Sequence, residues 1–232
     1  SLPDAIQAAA LAGFDAVECH WPYSTPANQL RATLDKTGLT MLGLNTVRGD
    51  VDAGENGLSA LPGREAEARA AIDEAIAYAV ETRTRAIHVM AGFSEGAEAR
   101  ASFIENLRYA LAQSSTLTIL IEPLNRHDAP GYFLHTTEQA REILMDIADP
   151  RLKLMFDCYH VGRTEGDVLT RLNTLLPLIG HIQFAGVPAR GAPDQGELNY
   201  KAIFDHIAAL GWNAPLGAEY KPGCATNDSL SW

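Results

Sequence analysis

Short apolar runs alternate with segments of helical period along the whole chain. Ile119, Leu120 and Ile121 are a run of β-formers that stops at Glu122, and Pro123 then ends the strand. The arrangement recurs downstream: 152–156 runs into Asp157, 179–182 into Gln183, and 216–218 into Glu219. Upstream, strands are predicted at 16–20, carrying Glu18; at 40–47, carrying Asn45 and followed by Arg48; and at 86–90, with His88 inside it and Gly92 behind it. Helices fill the intervals. One spans 2–11 and stops at Gly13. A second starts at Thr25-Pro26, with Thr25 as cap, and stops at Gly38. Ala68, Ile72, Ala75, Ile76 and Ala79 place a third over 65–81, and Phe103, Ile104, Leu107, Ala110 and Leu111 mark a fourth. Thr136 and Gln139, at capping-box spacing, open a fifth; 167–176 and 200–210 follow, and the tail 226–232 begins one more.

Seven strands alternating with helices imply a parallel sheet. Polar oxygen-bearing side chains at the C-terminal ends of the strands fit a (β/α)8 TIM barrel, whose sites are built at that mouth. Such a barrel is one strand short here, and the chain opens directly in a helix, so a first strand preceding Ser1 is expected. A doubly wound open sheet would carry a G-x-G-x-x-G turn after its first strand, and none is present. With 232 residues, 47% of them hydrophobic, the expectation is one α/β domain over 1–232. The long loop 48–64, with four glycines and several charges, reads as a lid, and a second glycine- and proline-rich loop covers 186–196.

The net charge of −11 excludes a nucleic-acid partner, which needs a basic face, but permits an anionic small substrate held by a few local cations. Cys19, Cys158 and Cys224 are odd in number and lack metal-finger spacing, which points to a reducing, cytoplasmic setting. No apolar run reaches the length of a membrane span.

Glu122, Asp157, Gln183 and Glu219 offer oxygen ligands, a set that suits Mg²⁺ or Mn²⁺ better than zinc. His160, three residues past Asp157, is expected in the loop above the metal, in reach of substrate or metal. Arg190 and Lys221 are local cations for a substrate carboxylate. His88 is more simply a hydrogen-bonded core residue, though a site role stays open, as it does for Glu18. Any one of these acids alone would read as a salt bridge or a cap; four polar groups on successive strand ends read as a site. A metal chelated by a substrate carbonyl and its neighbouring hydroxyl acidifies the carbon-bound proton. One glutamate removes that proton and the other returns one, either to the adjacent carbon (aldose–ketose isomerisation) or to the opposite face of the same carbon (epimerisation). No organic cofactor is signalled.

I-E-P-L-N, F-D-C-Y-H, G-H-I-Q and E-Y-K-P, with G-L-S-A-L-P-G-R-E in the long loop and G-E-L-N-Y before the seventh helix, resemble the hydroxypyruvate isomerase family, a branch of the xylose-isomerase-like TIM barrels. The resemblance runs from Gly13 to Trp232. It implies that Glu122 and Glu219 are the proton donor and acceptor pair and that Glu122, Asp157, Gln183 and Glu219 ligate a metal. It also places His160 and Arg190 near substrate; position and charge along the chain add Asn45, Arg48, His88 and Lys221 as further candidates for substrate contact. The implied reaction interconverts hydroxypyruvate and tartronate semialdehyde through a metal-stabilised enediolate; a similar subgroup isomerises 2-oxo-tetronates. Gln183 stands where related sugar epimerases have histidine, which weakens the ketose 3-epimerase alternative and leaves metal dependence less firmly implied than the fold. An AP-endonuclease-like role would need more histidine and acid ligands and a basic groove, and a silent sugar-acid binding protein would not need all four strand-end groups. Barrels of this kind often pair, so a homo-oligomer is one expectation.

Overall fold

A computed structural model describes residues 1–232. Two compact units are formed. The first comprises 1–121 with 131–133 and 146–152; the second comprises 122–130, 134–145 and 153–232.

In the first unit, α1 (Leu2–Leu11) is closed at its start by a capping box between Ser1 and Asp4. It is followed by β1 (Ala16–Val17), α2 (Ala27–Thr37), β2 (Thr40–Met41), β3 (Gly43–Asn45), α3 (Glu65–Thr82), β4 (Ala86–His88), α4 (Gly96–Gln113) and β5 (Thr118–Ile121). Residues 40–45 form one extended run with a partner on each side. β2 pairs in parallel with β1, and the bonding continues beyond it from Leu42 N–H to Val17 O (2.8 Å) and Asn45 N–H to His20 O (2.8 Å). β3 pairs on its other side with β4, and β4 with β5, all parallel. The strands expected at 16–20 and 40–47 are shorter than their sequence signals indicate: the first is Ala16–Val17, and the second is divided at Leu42 and ends at Asn45. α2 begins one residue later than its sequence signals indicate: Pro26 takes the N-cap position and no side chain caps the helix. Ile6, Leu30, Leu34 and Met41 make a core cluster beneath α1 and α2. Such apolar burial is the main driving force for docking helices on the strands.

The loop 48–64 is fixed over part of its length. Ser59 N–H donates to Met90 O (3.2 Å) and Ala60 N–H to Ala91 O (2.7 Å), and 57–60 are buried. Gly57 and Gly92 make this close approach possible. Both have positive φ, and a Cβ on Gly92 would lie 2.2 Å from Gly57 O. Residues 50–54 at the tip are exposed.

The second unit holds most of α5 (Thr137–Ile147), then β6 (Leu152–Asp157), α6 (Cys158–Thr164), α7 (Val168–Leu175), β7 (Ile179–Phe184), α8 (Tyr200–Ala209) and β8 (Gly217–Ala218). β6, β7 and β8 are parallel neighbours in that order. α6 departs from the expected loop after Asp157. The Asp157 carboxylate caps it, accepting from Tyr159 N–H at 2.8 Å. Gly162 lowers the helix propensity of this stretch, yet its missing side chain is what admits Leu198, whose Cδ1 would lie 3.0 Å from a Cβ there. No helix is long and apolar enough to cross a membrane.

Candidate active site

The strand ends of the second unit converge four of the expected groups. Asp157 ends β6, and its register partner on β7 is Gln183, which in turn pairs with Gly217 on β8. Register partners in a parallel ladder present side chains to the same face, and Glu219, two residues past Gly217, returns to that face. Its N–H donates to Phe184 O (3.1 Å), which continues the ladder beyond β8. Glu122, Asp157, His160 and Gln183 are all buried.

Glu122, Asp157 and His160 each bring one potential ligand atom to within 4.8 Å of the others. His160 Nε2 lies 3.6 Å from Asp157 Oδ2 and 3.8 Å from Glu122 Oε1. The ring is carried on α6, so its expected loop position is corrected: one turn of helix, not a flexible segment, aims it back at the carboxylates. Burial, followed by the charge of Arg190, pushes its imidazole down to about 4, against the pull of Glu219 and Asp128.

Arg190 ties the acids together. Its Nη2 is 2.7 Å from Glu219 Oε1 and 3.9 Å from Asp157 Oδ2, and its Nε donates to Glu219 O (3.3 Å). Burial works against its charge, but Glu219, Asp157 and Glu122 together hold its pKa above the ordinary arginine value. The guanidinium also lies over the Tyr159 ring, 5.1 Å from its centroid. The backbone of Arg190 is left-handed, with φ 56°, and its carbonyl takes the N–H of Lys221 (2.7 Å). Lys221 itself is exposed and contributes this backbone bond.

The remaining candidates belong to the first unit. Asn45 and His88 are register partners on β3 and β4, both buried, and Asn45 O accepts from Tyr23 OH. Arg48 stacks on Trp21, its guanidinium carbon 4.1 Å from the ring centroid. Glu18 is half-buried in the extended run 16–20.

Three residues of the site have no counterpart among the sequence candidates. Asn125, fully buried, contacts His160 Nδ1 through both its backbone N–H (2.9 Å) and its Nδ2 (2.8 Å). Asp128 accepts from Asn125 Nδ2 (3.0 Å) and from Tyr159 OH (2.6 Å). Burial and this donation to Asp128 push the Tyr159 phenol up to about 12. The signal for Asn125 was its place three residues after Glu122 in I-E-P-L-N.

The donor set is chemically consistent with a divalent ion: carboxylates of Glu122, Asp157 and Glu219 and the amide oxygen of Gln183 are hard oxygen ligands.

The model of the xylose isomerase-like TIM barrel family matches residues 6–232. A 2-oxo-tetronate isomerase of Cupriavidus necator is 45% identical over 99% of this chain and 90% of its own length. A putative hydroxypyruvate isomerase of Xenopus laevis is 40% identical over 99% of this chain and 88% of its own length. Among solved structures, a Brucella melitensis protein described as AP endonuclease, family 2, superposes with a TM-score of 0.96 at 34% identity, covering 100% of this chain and 92% of that one. With strand-end acids gathered around an arginine and a match over almost its whole length, the chain belongs to the xylose isomerase-like TIM barrel family and is an isomerase.

Proposed function

We propose that the chain is an aldose–ketose isomerase of short hydroxy-keto acids, interconverting hydroxypyruvate and tartronate semialdehyde with Glu122 and Glu219 as the acid/base pair. The observation that supports this reading is the Arg190 guanidinium, which lies among the acids, 2.7 Å from Glu219 Oε1 and 3.9 Å from Asp157 Oδ2, and is assigned here to the substrate carboxylate.

The chemistry assigned to the residues balances without an organic cofactor. One glutamate removes a proton from C3 of hydroxypyruvate, an enediolate spans C2 and C3, and the other glutamate delivers a proton to C2 while the O3 proton passes to O2. Mg²⁺ or Mn²⁺, held by Glu122, Asp157, Gln183 and Glu219, supplies Lewis-acid polarisation when bound.

A second reading, isomerisation of a four-carbon 2-oxo-tetronate, is supported by the higher identity to the Cupriavidus necator relative, 45% against 40%. Proton NMR in D₂O separates the two. Conversion of hydroxypyruvate with solvent deuterium entering the product, abolished by chelator, supports the first. Conversion of a 2-oxo-tetronate alone moves the assignment to the second, and turnover of neither refutes the isomerase of hydroxy-keto acids altogether.

A further inference from the structure

We propose that Asn125 is a positioning residue that holds His160 in one tautomer, with its proton on Nε2, so that His160 serves the site as a hydrogen-bond donor and not as a metal ligand. Reading the substrate as the acceptor rests on the isomerase function above; the tautomer itself does not.

Two backbone donors of fixed identity orient the Asn125 carboxamide. The N–H groups of His127 (3.1 Å) and Asp128 (2.9 Å) both donate to Asn125 Oδ1. The carboxamide is thereby oriented: oxygen toward the turn, Nδ2 toward Asp128 Oδ2 (3.0 Å) and His160 Nδ1 (2.8 Å). The backbone N–H of Asn125 points at the same ring nitrogen, at 2.9 Å. A ring nitrogen that receives N–H donors carries its lone pair there, so the single proton of the neutral imidazole is on Nε2.

Nε2 is the atom that faces Asp157 and Glu122, at 3.6 and 3.8 Å. Acceptors on that side and donors on the other agree on the same tautomer. Metal ligation requires a lone pair, and neither nitrogen has one to give: Nδ1 is taken by Asn125 and Nε2 holds the proton. Of the three groups that converge, the two carboxylates remain as ligands, while the Nε2–H is left to bond an oxygen on which charge develops. Tyr159 OH (2.6 Å) and Arg163 Nε (3.9 Å) hold Asp128, and Asp128 holds the Asn125 amide, so the orientation is fixed from a further layer out.

The test uses the full chain labelled with ¹⁵N-histidine and treated with chelator, observed by two-bond ¹H–¹⁵N correlation, with His160→Gln assigning the signal. The expected pattern is a protonated Nε2 and a lone-pair Nδ1 for His160. Asn125→Asp sets an acceptor against the remaining backbone donor at Nδ1, so the Nε2–H tautomer loses its dominance; kcat on the accepted substrate falls on the order of 10–100-fold, with a smaller change in KM. Asn125→Ala keeps the backbone donor, so the wild-type tautomer persists and kcat falls less. A protonated Nδ1 in the wild type overturns the proposal, as does an Asn125→Asp variant whose tautomer and kcat both match the wild type. The wild-type spectrum decides the tautomer even if a variant fails to fold. If the expected tautomer is found but no hydroxy-keto acid is turned over, it is the substrate reading that fails.

Discussion

Replacing Arg190 by methionine removes the one guanidinium that contacts both Glu219 and Asp157. Two unit charges about 4 Å apart interact by about 4 kcal/mol at an effective dielectric near 20, and breaking a buried pair from one side costs roughly 3–5 kcal/mol. Here the two side chains are 19% and 21% exposed, so solvent screens part of the loss, and the variant no longer bears the desolvation of arginine. A destabilisation of about 2–3 kcal/mol follows, or about 4–12 °C in Tm for a chain of this length. The size of the effect should depend on what else neutralises the acids. In chelator the full loss is expected, and with millimolar Mg²⁺ most of it should return, because a divalent ion replaces the missing charge and stabilises the fold by mass action. Scanning calorimetry of wild type and Arg190→Met, each with EDTA and with Mg²⁺, reads all four values. Equal Tm values in EDTA would show that Arg190 does not balance the carboxylates. An unchanged gap in Mg²⁺ would show that the ion does not share their site.

Glu122→Gln and Glu219→Gln should each lower kcat by about 10²–10⁴-fold, measured by NMR turnover of hydroxypyruvate or a 2-oxo-tetronate, and near-native turnover in either would end the two-base mechanism. His160 should set part of the acid limb of stability. Its folded value of about 4 lies below the ordinary 6.5, so between those pH values the unfolded chain binds the extra proton and stability falls as pH falls. The full contribution is about 3 kcal/mol, and urea titrations in chelator should show a flatter pH dependence over that window in His160→Gln. Gly92→Ala should cost about 2–4 kcal/mol in chemical denaturation, because its methyl would enter the Gly57 carbonyl at 2.2 Å with φ at 96°; a loss under 1 kcal/mol would mean the loop yields easily.

The strands were legible because each apolar run has one length scale and one stop. 117–121 ends at Glu122 and Pro123, and 152–156 ends at Asp157, in the sequence as in the structure. α6 was not, because seven residues with a central glycine carry too little period to separate a helix from a loop, and its cap, Asp157, already had a reading as a strand-end ligand. The acids themselves could be named from position alone. Their organisation could not: that Arg190 spans Glu219 and Asp157 depends on a left-handed residue inside a glycine-rich loop, where no periodicity operates. Asn125 stood in I-E-P-L-N, but its role was hidden for a related reason. A buried asparagine in a turn leaves no pattern, and its importance lies in which of its atoms face His160, a fact of three-dimensional packing.

Charge balance explains why these groups tolerate burial together. With Glu122, Asp157 and Glu219 ionised, three carboxylates face one guanidinium, and the neutral ring of His160 adds nothing. Two negative charges remain, the charge of one divalent ion. Burying an uncompensated carboxylate costs several kcal/mol, so a site of this composition favours either a bound cation or a proton on one glutamate. Those are also the two conditions an acid/base isomerase needs, a Lewis acid on the substrate oxygens and one glutamate able to give a proton while the other takes one. A histidine held neutral by burial and the charge of Arg190 preserves that balance, whereas an imidazolium in its place would cancel half of the charge that draws the ion in.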